Sequence, residues 1–318
     1  MILHIGMDTN QLLYPYHNKF PLVIWSKFRW FINRHKRKYL PLINALGLHF
    51  TVIDGFGAPG DTILTSIVVQ NLKKKYKKIK FRIITRNPCL VKYDSNITHI
   101  NAPETFFSEI SWYLEIRSER NGQRNVLSET FHKLGINEFD YNPKIYLSEE
   151  EECWAKNELP NRRAPNRIAF NCLSNQFVKN WPIEYWSTLI KSLPEFEWVQ
   201  LGDHHEPELT NVIRCAGKYT MRESMALIGE CDLFIGPDSF LGHAASGIGI
   251  ASIIIFGGSR TIKNLGYSKN INLEYLPPCH SCWIHKNEDG DCKNDVICMR
   301  QITVEQVKMN IINSFSRN

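Results

Sequence analysis

The sequence predicts an α/β protein of two Rossmann-like domains, and three observations predict it. A chain of 318 residues, 43% hydrophobic and 22% charged, has the length and balance of about two soluble globular domains. Between residues 50 and 85 a strand, a glycine turn, a helix and a second strand follow one another, the order of a βαβ unit with a parallel sheet. Beyond residue 165, strands and helices alternate regularly. The expected division is a basic aromatic segment at 1–50, a first Rossmann-like domain at 51–162 and a second at 163–318, with a deep cleft between the carboxyl ends of their strands.

The net charge of +6 is local. Residues 1–53 hold seven Lys or Arg against Asp8, and the rest of the chain is balanced. Rings and cations interleave there as Trp25, Lys27, Phe28, Arg29, Trp30, Phe31, Arg34, Lys36, Arg37 and Lys38. Residues 19–38 suit peripheral contact with an anionic membrane, rings at the interface and cations on phosphate. An amphipathic helix docked on the first domain and a nucleic-acid arm remain alternatives. No run approaches the roughly 20 apolar residues of a spanning helix, and "MILHIGMDTN" lacks the form of a signal peptide, so a cytoplasmic location is expected.

In the first domain, "FTVID" reads as a strand. Residues 61–76 read as a helix with Ile63, Leu64, Ile67, Val68 and Leu72 on one face, and "KFRIIT" as the next strand. Residues 95–135 are expected to be mostly helical. A helix capped by Ser148 and a Pro- and Arg-rich linker then lead to the boundary near 162. In the second domain the strands are "RIAFNC", "EWVQLG", "CDLFIG" and "ASIIIFG", and "TVEQVKMNIINSF" closes the chain as an amphipathic helix.

Four stretches carry candidate chemistry. In "GFGAPGDT", Gly57 and Gly60 let the backbone turn out of the strand, and Asp61 falls at a helix N-cap position. A carboxylate at that edge is either a cap or a general base; a helix N-terminus favours its ionised form, which weakens a base. In "NCLSNQFVKNWPIEYW", Lys179 sits in a strand-to-helix loop, placed for a phosphate with Ser174 beside it, although a solvated lysine is the commoner case. In "GPDSFLGHAASGIG", Asp238 and Ser239 precede a helix start with Gly242 and His243, small enough for an anion to come close or for tight helix-on-sheet packing. The G-x-G-x-x-G form is missing, so a nicotinamide enzyme is not indicated. Cys279, Cys282, Cys292 and Cys298 can close a tetrahedral zinc or iron site with no open position, which is structural, and no catalytic metal is expected. The other five cysteines are expected to be buried reduced thiols.

In this order, "GAPGDTILTS", "KNWPIEYW", "VQLGDHHEPE", "GPDSFLGHAASGIGIASIIIFG" and "CHSC…C…CM" followed by "ITVEQV" resemble the heptosyltransferases, glycosyltransferase family 9, over roughly residues 51–312. The resemblance implies a GT-B fold and an inverting transferase that moves a heptose from a nucleotide-diphosphate donor, ADP-heptose, to a glycan, lipid-linked or protein acceptor. It implies that Asp61 is the base, with Gly60 and Thr62 around it. Lys179 and Ser174 would hold the leaving diphosphate, Asp238 the sugar hydroxyls, Ser239, Gly242 and His243 the pyrophosphate end, and Glu206 the ribose or base. Two departures stand out: Phe240 follows Asp238-Ser239 where the family has glycine, and "FGGSRTIKN" lacks the family's proline. Relatives with a cysteine finger glycosylate autotransporter proteins, and others act on lipopolysaccharide core.

Alternatives on the same fold are a nucleotide-sugar epimerase or hydrolase, which needs no acceptor. The non-enzymatic alternative is a metal-knuckle protein whose basic arm binds nucleic acid. That last reading leaves the cleft motifs unexplained, and no nucleic-acid partner is expected.

Overall fold

The computed structural model describes residues 36–284 and 292–316. The basic aromatic stretch up to residue 35 lies outside the described residues. A helix at Lys36–Ala45 follows it, burying Leu40 and Ile43 and leaving Leu42 exposed, as is Leu46 just beyond its end.

Two parallel sheets form the frame. In the first, strands β1 (His49–Asp54), β2 (Lys80–Ile84), β3 (Ile97–Ile100) and β4 (Ser108–Ser111) lie in the order β3-β2-β1-β4. The central strand β1 is the most fully buried, Phe50 to Asp54 all lying inside, because it is covered on both faces. The helix Pro59–Lys75 crosses from β1 to β2, and its last turn ends on Lys73, Lys74 and Lys75 at the negative end of the helix dipole. Residues 95–135, expected to be mostly helical, contribute β3 and β4 and only the short helices Leu114–Ser118 and Ser128–Lys133. Each strand is short and polar in composition, "ITHI" and "SEIS", with no apolar run to mark it, and Ile97–Ile100 is only partly buried at the sheet edge.

The second sheet has six strands in the order β10-β9-β8-β5-β6-β7, doubly wound from β5. These are β5 (Arg167–Phe170), β6 (Glu197–Gln200), β7 (Ile213–Arg214), β8 (Leu233–Pro237), β9 (Ser252–Phe256) and β10 (Ile271–Glu274). Strands β5, β8 and β9 are buried along their whole length. On one face Trp181, Trp186 and Trp198 are fully or almost fully buried around Phe170, with Trp186 stacked 5.4 Å from it. The closing helix Val304–Ser316 buries Val307 and Ile311 into the same core.

Between the sheets, the helix Glu149–Glu158 begins on a Ser148–Glu151 capping box. It docks on the helix Met221–Gly229 through the Arg222–Glu151 ion pair, whose nitrogens and carboxylate oxygens pair twice. Among the described residues no helix is long and apolar enough to cross a membrane. All nine cysteines are free thiols; Cys172, Cys215 and Cys231 are buried as expected, whereas Cys89 is only half-buried and Cys153 is exposed, on the polar outer face of the 149–158 helix.

Candidate active site

The site begins at the end of β1. Asp54 is buried and gathers the turn around itself. It accepts hydrogen bonds from the backbone of Gly57 at 2.8 Å and Phe56 at 3.2 Å, and from the hydroxyls of Thr62 at 2.7 Å and Thr85 at 3.0 Å. Gly57 turns with φ +75, a conformation that a side chain disfavours. The helix starts at Pro59 with Ala58 in the cap position, so Asp61 is not a cap; it occupies the first turn of the helix. Thr62, expected at the substrate, is fully buried in the Asp54 network and holds the turn from behind.

Freed from capping, Asp61 accepts a hydrogen bond from the Tyr113 hydroxyl at 2.9 Å. Burial raises its pKa to about 6; the cations of Arg260 and Lys179 and the Tyr113 bond pull the other way, while Asp54 adds to the rise. Dipole reasoning from the helix N-terminus expects a weak base. Desolvation overrides it and leaves a carboxylate poised near neutral pH.

Those two cations come from the second sheet. Lys179 lies on the short 3-10 turn Phe177–Lys179 after β5, and it is 7% exposed rather than solvated. Its ammonium donates to Asp238 Oδ2 at 2.6 Å and to the Asp238 carbonyl at 3.1 Å. Burial, reinforced by Arg260, brings Lys179 down to about 8. Burial would raise Asp238, but Lys179, His243 and Arg260 hold it at about 2. Arg260 reaches within 3.8 Å of Asp238 Oδ2 and its guanidinium lies 5.2 Å from the Trp283 ring. His243 is buried, its Nδ1 2.6 Å from the Tyr267 hydroxyl and its Nε2 3.6 Å from Asp238 Oδ1. Burial lowers it to about 4, so it is neutral at physiological pH.

The remaining candidates divide. Ser239 occupies the cap position of the helix Phe240–Ile248 without using its side chain as a cap, so it stands at the helix start beside Asp238. Asp238, Ser239, Gly242 and His243 line a small pocket with Tyr267 and Asn270. A Cβ on Gly242 would meet Ile254 at 3.0 Å, which gives this glycine a packing role of its own. Ser174 bonds within its own loop, to Gln176 and, through its backbone, to Asn180. Glu206 is 4% exposed and its two oxygens accept from the backbones of Cys172 and Leu173 at 2.9 and 3.0 Å. It therefore braces the loop after β5, a task other than the expected hold on ribose or base.

The two halves touch here. A Cβ on Gly60 would lie 3.0 Å from His243 Cδ2, so the glycine turn of the first sheet sits directly on the helix start of the second. Phe240 packs against the cluster that includes Ile63 and Met225, in the core joining the halves. A second contact runs through Asn264, whose amide donates to the carbonyls of Asn121 and Arg124 at 2.9 and 2.6 Å.

Sequence reading missed Tyr113, Arg260, Trp283 and Tyr267. Arg260 lies in the "FGGSRTIKN" stretch and Trp283 directly after Cys282, so both stood beside stretches the sequence singles out, whereas Tyr113 and Tyr267 have no local signal; all four acquire their place only through the tertiary fold.

The cysteine set fits a soft cation by chemistry. Cys298 is buried and Cys282 half-buried. Burial raises both thiols, with the charges of Cys292 and Cys279 adding at Cys282, and those of Cys282 and Cys292 at Cys298. Thiols that repel one another's ionisation in this way share a small space, and a cation relieves the repulsion. The sulfurs themselves do not converge on one point: among the described residues, only Asp203, His204 and His205, all exposed, hold three ligand atoms within 4.8 Å of one another.

A frame of two parallel α/β sheets thus carries Asp61 at the end of one sheet and the Lys179, Arg260 and Asp238 cluster at the end of the other. The sequence signature of glycosyltransferase family 9 (heptosyltransferase) matches residues 114–282, more than half of the chain, and the protein belongs to that family. It is a glycosyltransferase with the family's fold. Asp61 lies before the matched span, and Cys292 and Cys298 after it. No protein of curated function matches the chain in sequence.

Solved structures with the same fold include a family 9 glycosyltransferase from Veillonella parvula, 15% identical over 85% of this chain and 97% of that one, with a TM-score of 0.60. The ADP-heptose lipopolysaccharide heptosyltransferase II of Escherichia coli is 13% identical over 85% and 99%, with a TM-score of 0.59. The iron-containing dodecameric glycosyltransferase TibC of enterotoxigenic E. coli is 15% identical over 85% and 78%, with a TM-score of 0.63.

Proposed function

We propose that the protein transfers a heptosyl group, with inversion, from ADP-heptose to a hydroxyl of a glycan or lipopolysaccharide-type acceptor. The observation that carries this reading is the seat of Gly60, next to Asp61, on His243, which sets the carboxyl of one half beside the half that gathers Lys179, Arg260 and His243 on Asp238. The acceptor hydroxyl loses its proton to Asp61 as its oxygen bonds to the anomeric carbon. On the opposite face the bond to the diphosphate breaks, and the electron pair goes to the β-phosphate oxygen. Lys179, Arg260 and the N-terminus of the Phe240–Ile248 helix meet that charge. Tyr113 orients the base, and Asp238 aims the Lys179 ammonium. Because Gly60 rests on His243, substrates enter when the two domains, 51–162 and 163–318, part at this contact.

The Cys279, Cys282, Cys292 and Cys298 set would hold one iron or zinc ion, a structural knot for the loop; likeness to an iron-containing heptosyltransferase supports iron. Nine free thiols accord with a cytoplasmic site of action. Residues 19–38, continued by exposed Leu42 and Leu46, would rest on an anionic membrane surface.

The test is incubation of the full chain with ADP-heptose, with and without heptose-deficient lipopolysaccharide, followed by product analysis. Transfer with inversion supports the reading. Free heptose or an isomerised donor formed without acceptor would move the protein to the hydrolase or epimerase class.

A further inference from the structure

Trp283 follows Cys282 directly, yet it is 5% exposed and reaches the site rather than the surface. Its backbone donates to the Ser259 carbonyl at 3.2 Å, which ties the cysteine loop to the residue preceding Arg260. Its ring lies 5.2 Å from the Arg260 guanidinium on one side and 6.0 Å from the Tyr113 ring on another. Tyr113 in turn donates to Asp61 at 2.9 Å and packs 4.3 Å from the Phe56 ring of the glycine turn. One indole from the second half of the chain thus bridges a cation and the phenol that orients the carboxyl of the first half. Beside it, Ser281 lies so close to Gly122 that a Cβ there would come within 2.4 Å of its Oγ, so the same loop also seats the 121–126 loop.

We propose that Trp283 is a positioning residue: its indole holds the Arg260 guanidinium toward the Tyr113–Asp61 pair, so that the cysteine loop sets the electrostatic surroundings of the base. The inference rests on the assignment of Asp61 as that base. A guanidinium on an aromatic face keeps its charge while giving up conformers, which fixes a long side chain in a buried place. The groups around the Asp61 carboxyl are Tyr113, Asp54, Arg260 and Lys179, with Asp238 behind the cations and His243 against Gly60. Of the opposing charges, Arg260 pulls hardest on Asp61 toward ionisation, so release of Arg260 should make the base harder to ionise.

The experiment titrates the Asp61 carboxyl carbon by NMR in the full chain, the resonance being assigned by its loss in Asp61→Asn. In Trp283→Ala the midpoint should rise by roughly half to one pH unit. Arg260→Ala should shift it at least as far, and the double variant no further than Arg260→Ala alone. Trp283→Phe, which keeps an aromatic face, should stay near the wild type. If Trp283→Ala does not fold, Trp283→Leu against Trp283→Phe makes the same comparison, since leucine fills space without a π face. An unmoved midpoint, equal shifts for Phe and Leu, or additive shifts in the double variant would overturn the proposal. The readout needs no turnover: an Asp61→Asn variant with full activity would end the base assignment and leave the Trp283–Arg260 coupling standing.

Discussion

The Lys179 ammonium rests 2.6 Å from Asp238 Oδ2, in surroundings that leave both residues less than a tenth exposed. A buried pair of this kind is a liability once either partner goes, because the survivor keeps its charge without water. Lys179→Met should therefore destabilise the fold by about 3 kcal/mol and weaken ADP binding at least tenfold, measured by denaturant unfolding and by calorimetry. A variant that folds normally and binds ADP as tightly as the wild type would remove Lys179 from the donor site.

Lys179 also shapes the pH dependence, together with Asp61. Asp61 at about 6 and Lys179 at about 8 bracket the active form, with the base ionised and the cation charged. The profile of kcat/KM should be a bell with limbs near those values. In kcat the upper limb should move to higher pH, since bound diphosphate stabilises the ammonium. A flat profile between pH 5 and 9 would contradict both roles.

Stability should run against activity at Asp61. Its folded pKa, about 6, lies above the ordinary 3.8, so folding favours the protonated acid. That stability is complete below about pH 4, fades as pH rises through 6, and is gone at 7. Asp61→Asn, which keeps the shape without the charge, should then be more stable than the wild type at pH 7 by about 1–3 kcal/mol, and equally stable at pH 4. Thermal unfolding at the two pH values checks this.

Gly60→Ala tests the contact between the halves. A Cβ would press on His243 at 3.0 Å to Cδ2 and 3.3 Å to Nε2, so closure over substrate must give way by a few tenths of an ångström. The expected result is a fall in kcat of about tenfold with ADP affinity nearly unchanged, since the diphosphate groups stay in place on the second half. Equal losses in both would mean that Gly60 serves the donor pocket itself.

Much of this arrangement was legible in the sequence. The glycine turn of the first βα unit announced itself by Gly57, Pro59 and Gly60, and the second sheet by the regular return of apolar strands. The cap assignment of Asp61 failed because Pro59 starts the helix two residues earlier, and the expected weakness of the base failed because dipole reasoning has no access to burial. Glu206 and Thr62 looked available for substrate since sequence cannot say which backbone groups a carboxylate or hydroxyl will meet. Arg260, Tyr113 and Trp283 come from three separated loops, and nothing local marks a guanidinium that will be covered by an indole some twenty residues on. Strands β3 and β4 were missed for a simpler reason: "ITHI" and "SEIS" carry polar residues at their centres or ends and no apolar run, unlike the equally short β5.

The central claim is that Asp61 removes the acceptor proton while the second half of the chain holds the departing diphosphate. The most direct measurement is single-turnover transfer from ADP-heptose by Asp61→Asn, alongside its calorimetric affinity for ADP. The account predicts a loss of at least a thousandfold in the transfer rate with ADP affinity within about threefold of the wild type. Transfer at an undiminished rate would contradict it.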